Sequence, residues 1–428
     1  MIQIQANHEG CAMTTPVTTF QDALVFTAAG GDSFEGSVIV EGDRIAAVGP
    51  GPSTPSASGR VISLRGMTLL PGLIDAHVHA AAVEADIQNQ HRHLFDSELA
   101  VLTARSLTEM LDRGFTSVRD AGGADAGFRR LIERGTIPGP RLLVSGRPLT
   151  QTGGHGDNRR AVEHADPAAS PRALGMTHAV ADGTDEVRRA VREELRRGAD
   201  QIKVMAGGGV MSPTDRLESV QYSLEELTAA VTAAAASGSY VLAHAYTAEA
   251  IEVCVAAGVR SIEHGNLLNK RAAELMAEAG TFLVPTLVTY EKLHEQGPEL
   301  GIPKANLDKL GRIIEAGLES LRIAHAAGVR IGSGSDLLGP MRRFQGQEIA
   351  LQAQALGAGA AITAATKTNA ELLGIGADTG TIEVGKLADI VAVDGDPLAD
   401  PGLLGAPERI RMVMRNGSMH SDRTEREH

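Results

Sequence analysis

Leu69-Leu70-Pro71-Gly72-Leu73-Ile74-Asp75-Ala76-His77-Val78-His79 carries an apolar run straight into two histidines. Side chains two apart on a strand point to the same face. Two imidazoles at that spacing, at a strand's end, can hold one metal ion. The spacing alone is also compatible with two ordinary polar histidines, so the rest of the chain decides.

Downstream of this stretch the pattern is strand, loop, helix, repeated. The candidate strands are 73–79, 115–120, 141–145, 201–206, 240–245, 260–263, 281–286 and 330–333. Helical periodicity fills the gaps between them. In 185–198 apolar residues recur at Val187, Val191 and Leu195, and the run ends on Gly198. Segments 224–238, 248–258 and 305–328 behave alike. Eight strands alternating with helices is the count of a closed (β/α)8 TIM barrel; an open doubly wound α/β sheet is the alternative.

Both flanks read as β. Short apolar runs at 23–27, 37–40, 44–48 and 61–64 are punctuated by Gly and Asp, and 51–59 is a loop. Past Gly374 the runs 380–382, 388–393 and 410–414 follow, the last meeting the turn Asn416-Gly417. Chain ends often lie close together. The expected organisation is therefore a small β-sandwich domain split between 1–70 and 375–428, around a catalytic barrel over 71–374.

The 428 residues, 43% of them hydrophobic, supply a large core. A net charge of −13 without a basic block argues against nucleic-acid partners and anionic lipid. Cys11 and Cys254 do not make a disulfide framework, and Cys254 falls on an apolar helix face. No run is long enough to span a membrane, and Met1–Gln21 does not read as a secretory leader. A cytoplasmic location is expected, and translation could begin at Met1 or Met13.

Active groups of a barrel sit at the C-terminal ends of its strands. Read in order, those ends carry His77 and His79, then Lys203, His244, His264 and, after the eighth strand, Asp336. Of fourteen histidines, four fall there, whereas His8, His91, His93, His420 and His428 lie in loops or tails. Lys203 stands between apolar neighbours in Gln201-Ile202-Lys203-Val204-Met205, in a chain of seven lysines and thirty-three arginines. Burial lowers an amine's pKa. The neutral amine can react with CO2 to give an anionic carbamate able to bridge two cations. The alternative is a lysine paired with a buried carboxylate.

The set His-x-His, Lys, His, His, Asp, in this order, resembles the binuclear metal centre of the amidohydrolase superfamily. The phrase Gly380-Thr381-Ile382-Glu383-Val384-Gly385-Lys386-Leu387-Ala388-Asp389-Ile390 also resembles that family's C-terminal segment. The resemblance implies two divalent metal ions, zinc being the usual one. His77, His79 and Asp336 would hold one, His244 and His264 the other, and carboxylated Lys203 would bridge. It implies a metal-bridged hydroxide as nucleophile, with Asp336 moving the proton to the leaving amine.

Further phrases are similar to a narrower group: bacterial Xaa-Pro dipeptidases, related carboxypeptidases and ochratoxin-type N-acyl amino acid hydrolases. They are 114–123, 151–157, 198–203, 284–288 and 334–339. The group implies cleavage of the amide bond to a C-terminal amino acid, and homo-oligomeric assembly. His155, between glycines in the long segment 150–180, would contact the substrate's carboxylate or carbonyl. Tyr222 would bind the scissile carbonyl oxygen. Arg159, Arg160 and Arg216 could pair with a free carboxylate, although solvated surface positions are the plainer reading. Gly207-Gly208-Gly209 lacks the Lys-Ser/Thr ending of a phosphate loop and reads as room for the metal centre. The rivals are a hydrolase of cyclic amides or of xenobiotic carbamates or ureas, and an inactive barrel scaffold.

Overall fold

The computed structural model describes residues 16–52, 59–87, 90–157, 159, 162, 174–212, 215–302 and 304–425. The expectations placed on Met13, Cys11, Arg160, His8, His428 and much of 158–173 lie outside the described residues.

Strands β1 Val17–Val25, β2 Phe34–Glu41, β3 Arg44–Pro50, β4 Arg60–Ser63 and β5 Met67–Pro71 lead the chain. Then come β6 Leu73–Val78, β7 Phe115–Asp120, β8 Arg141–Val144, β9 Leu149–Thr150 and β10 Ala179–Val180. They are followed by β11 Ile202–Met205, β12 Val241–Thr247, β13 Ser261–Leu267, β14 Phe282–Val284 and β15 Arg330–Ile331. Last are β16 Ile390–Asp394, β17 Ile410–Arg415 and β18 Ser418–Asp422.

Strands from the two chain ends share one sheet, in the order β18-β17-β16-β5-β1-β2-β3, with β4 on β1. Its β5 pairs antiparallel with β16, Leu70 opposite Val391. The sheet curves over on itself: a Cβ added at Gly417, in the β17–β18 turn, would meet the Gly42 carbonyl oxygen of the β2–β3 turn at 2.0 Å. Phe20, Val38, Ile45, Leu69, Ile390 and Met412 fill the core so formed. The run 380–382 is not a strand. It crosses the end of β1 through one backbone bond, from Ile382 N–H to the Thr27 carbonyl.

Every residue of β6, β7, β11 and β12 is buried. That is the pattern of parallel strands covered on both faces, and it explains their apolar sequences. The eight expected parallel strands are present, but as two ladders, β6-β7-β8 and β10-β9-β11-β12-β13-β14-β15. At the two junctions single backbone bonds, from Ala76 N–H to the Ser333 carbonyl (2.9 Å) and from Asp200 N–H to the Val144 carbonyl (2.7 Å), are reinforced by side chains. Asn369 Nδ2 donates to the carbonyls of Ile74 (2.6 Å) and Ser333 (2.7 Å), where β15 is only two residues long. Gln201 Nε2 donates to the Asp120 carbonyl and to Ser145 Oγ at the other.

Helices cover the parallel strands, and Gly258, at φ +86, ends the helix Ala248–Ala257 as expected. The expected helix 305–328 is divided into Lys304–Leu307 and Leu310–Ala326. At the break, Lys309 Nζ donates to the carbonyls of Gly209, Ser212 and Asp215. Among the described residues no helix is long and apolar enough to cross a membrane.

Candidate active site

A buried strand has no water to satisfy polar side chains, so each polar group on it needs a partner in the protein or a ligand. The histidines and Lys203 on β6, β11, β12 and β13 are therefore informative. His77 lies on β6 and His79 just beyond it; Asp336 follows β15. All three, with Lys203, His244 and His264, line one cavity.

Asp336 Oδ1 is 3.2 Å from His79 Nε2 and 3.6 Å from His77 Nε2. Ligand atoms of these three residues fall within 4.8 Å of one another, a spacing that could hold one metal ion. His264 approaches from the other side, 3.9 Å from Asp336 Oδ2. Its ring centroid is 5.1 Å from that of His77 and 4.5 Å from that of His244.

Each histidine gives one ring nitrogen to a neighbouring group. His77 Nδ1 bonds Glu263 Oε2 (2.7 Å), and His79 Nδ1 bonds the Gly122 carbonyl (2.8 Å). His244 Nε2 bonds the Gly208 carbonyl (3.0 Å), and His264 Nδ1 bonds Thr286 Oγ1 (2.7 Å). Such bonds fix the tautomer and leave the other nitrogen as an electron-pair donor. His77 Nε2 is buried with no hydrogen-bond partner among the described residues. The donor set therefore fits divalent cations.

Burial drives His244 and His264 well below the usual histidine range, each helped by neighbouring cationic groups. His77 is lowered likewise, by burial first and Lys203 next. His79 goes the other way: burial opposes its charge, but the bond to Asp336 and the charges of Asp336 and Asp120 raise it. Burial opposes the Asp336 carboxylate, yet His77 and His79 hold it below its ordinary value. Burial pushes the Lys203 amine down to about 8. The charges of Glu263 and Asp336 oppose that shift, so the carboxylates that bear on Lys203 are those two.

His155 lines the cavity, stacked on His244 with centroids 4.3 Å apart. Its N–H donates to Gln221 Oε1, and its Nδ1 lies 3.4 Å from Asp215 Oδ2. Its ring occupies the space a side chain on Gly209 would need: a Cβ there would meet His155 Cε1 at 1.8 Å. Gly209 thus makes room for His155, while Gly208 makes room for the Arg216 carbonyl.

Tyr222 is not among the cavity-lining residues. Its backbone is left-handed, at φ +63, and its ring packs in the core with residues such as Val204 and Leu227. The cavity tyrosines are Tyr246 and Tyr290, whose hydroxyls are 2.9 Å apart. Tyr290 OH also reaches His264 Nδ1 at 2.9 Å. Tyr246 was detectable in sequence: it is two residues from His244 on one strand, hence on the same face. Glu263 and Thr286 gave no such signal, because their roles depend on contacts across strands. Thr286 is β-branched yet sits at φ +49, a strained conformation that places its hydroxyl on His264.

Arg159 is paired with Asp157, and Arg216 is exposed beside Glu218. The remaining cavity wall is largely apolar, formed by Ile87, Met176, Val210, Met211, Leu293 and Leu338.

Residues 68–419 match the model of the amidohydrolase family. Ochratoxinase of Aspergillus niger is 34% identical over 363 residues, which span 82% of this chain and 75% of that one. A solved prolidase complexed with N-methylphosphonate-L-proline superposes with a TM-score of 0.91 at 42% identity, covering 95% of this chain and 100% of that one. A Xaa-Pro dipeptidase with bound methionine in its active site superposes with a TM-score of 0.85 at 31% identity, covering 95% and 100%.

Proposed function

The chain belongs to the amidohydrolase family, and on that premise we propose that it cleaves the amide bond to a C-terminal amino acid in a Xaa-Pro-like dipeptide or an N-acyl amino acid, ochratoxin-type amides included. The observation that carries this reading is the convergence of His77, His79, Lys203, His244, His264 and Asp336 on one cavity. The ochratoxinase and prolidase relatives support the choice of bond, and the apolar wall suits an apolar side chain or acyl group.

His77, His79 and Asp336 would hold one divalent ion and His244 and His264 a second, with a carboxylated Lys203 between them. The chemistry such ions supply when bound is Lewis acidity, a more acidic water and a polarised carbonyl. Asp336 does the proton work. Held ionised beside His77 and His79, it takes a proton from the attacking water as the O–C bond forms. It returns that proton to the nitrogen as the C–N bond breaks. His155 binds the substrate's carboxylate or carbonyl from the cavity wall. Tyr222 would bind the scissile carbonyl oxygen, and Tyr246, which lines the cavity, is a second candidate for that place.

The same reading includes zinc as the metal, two ladders closed as a (β/α)8 barrel, a homo-oligomer and a cytoplasmic location. The hydrogen bonds from Asn369 and Gln201 across the two junctions support the closed barrel. A panel of Xaa-Pro dipeptides and N-acyl amino acids tests the substrate. Turnover of at least one, abolished by Asp336→Asn with the fold retained, is expected. No turnover on any of them, with hydrolysis of a cyclic amide, carbamate or urea instead, overturns it.

A further inference from the structure

The partners given to the four histidines are unequal. Glu263 is fully buried and wholly committed. Its Oε2 accepts from His77 Nδ1 at 2.7 Å, and its Oε1 accepts from Arg119 Nη2 (2.7 Å) and Ser261 Oγ (2.5 Å). Arg119 is itself fully buried and donates further to the Ala76 carbonyl on β6 and to Ser261 Oγ. The carboxylate is thus clamped between the strand that bears His77 and the strand that bears His264. Across the cavity the supports are neutral. His264 meets the hydroxyls of Thr286 and Tyr290, and His244 meets the Gly208 carbonyl.

We propose that Glu263, locked by Arg119 and Ser261, is the positioning residue that makes the His77–His79–Asp336 pocket the tighter of the two cation positions. The proposal rests on the binuclear reading above. A carboxylate that accepts the Nδ1 proton holds the imidazole in one tautomer and makes the opposite nitrogen a stronger donor. A hydroxyl does this less, because it carries no charge and can turn to donate instead. The pocket also has a carboxylate of its own in Asp336, whereas His244 and His264 depend on Lys203. Glu263 therefore acts on His77 from behind, without facing the cavity.

Apo-protein, stripped with a chelator and dialysed, is titrated with Zn2+ against a chromophoric competitor. A parallel Co2+ titration is followed by its visible bands. The wild-type chain should take up two ions, with affinities at least about 10-fold apart. Glu263→Gln should weaken the tighter one by about 10- to 100-fold and leave the weaker in place. Thr286→Val should disturb only the weaker. Two equal affinities, or a Glu263→Gln chain of unchanged circular dichroism in which neither or both shift alike, overturns the proposal. Should Glu263→Gln fail to fold, Ser261→Ala is the test: it removes one donor to Glu263 and should weaken the same tighter ion by a smaller factor, and no change overturns the proposal. A wild-type chain that binds no ion, or only one, sinks the binuclear reading itself.

Discussion

Ser335 Oγ donates to Asp75 Oδ2 across 2.6 Å, joining the first parallel strand to the loop that follows the last. The same carboxylate accepts from the N–H groups of His77 and Ser335 and from Gln345 Nε2. It thereby sets the left-handed turn that aims Asp336, at φ +51, toward His77 and His79. Asp75→Ala strands four buried donors. It should cost about 3 kcal/mol of stability, measured by urea unfolding, and lower turnover by releasing Asp336. A loss under about 0.5 kcal/mol would show that the loop is held by other contacts.

Lys203 is fully buried, and burial pushes its amine down to about 8 against the charges of Glu263 and Asp336. Below that pH it is an ammonium, and above it a neutral amine able to take up CO2. Activation of metal-free enzyme by bicarbonate plus metal should therefore quicken as the pH rises toward about 8. Lys203→Ala should lose at least one metal ion and about 100-fold or more of activity, part of which a short carboxylic acid restores. Full activity in that variant rules out the bridge.

Gly209 leaves no room for a side chain beside the His155 ring. Gly209→Ala should displace that ring and mimic His155→Ala, each lowering kcat/KM by about 10- to 100-fold. In the double variant the losses should not add, because one change already removes what the other would. Additive losses would mean that the glycine acts through some other contact.

Burial pushes the Glu348 carboxyl up to about 8, against bonds from Val288 N–H and Gln352 Nε2. The folded chain thus keeps this proton to higher pH than the unfolded chain. The stability it contributes is complete below the ordinary value of 4.5 and is lost as the pH rises through about 8. Glu348→Gln should flatten that decline, raising Tm above wild type at about pH 9 and not at about pH 5. Parallel Tm curves for the two proteins would assign the slope to another group.

Much of the site was legible because it obeys one-dimensional rules. His77 and His79 share a face by strand periodicity, and Lys203, His244 and His264 stand out as polar residues in apolar runs. Tyr222 was less legible, because its left-handed φ and its packing in the core, with a hydroxyl that has no hydrogen-bond partner among the described residues, are set by tertiary structure. The helix expected over 305–328 breaks where Lys309 reaches carbonyls about a hundred positions earlier, a contact no local pattern records.

Sequence by itself determined the parallel strands, the helices between them, the β-rich ends and the polar residues carried at strand ends, since each follows from local periodicity and burial preference. Tertiary structure alone decided which groups stand behind them. Glu263 on His77, Thr286 on His264 and Asp75 on Ser335 are bonds between segments far apart in the chain. Their strength depends on ångström-scale geometry in a water-free interior, and residue order does not encode that distance.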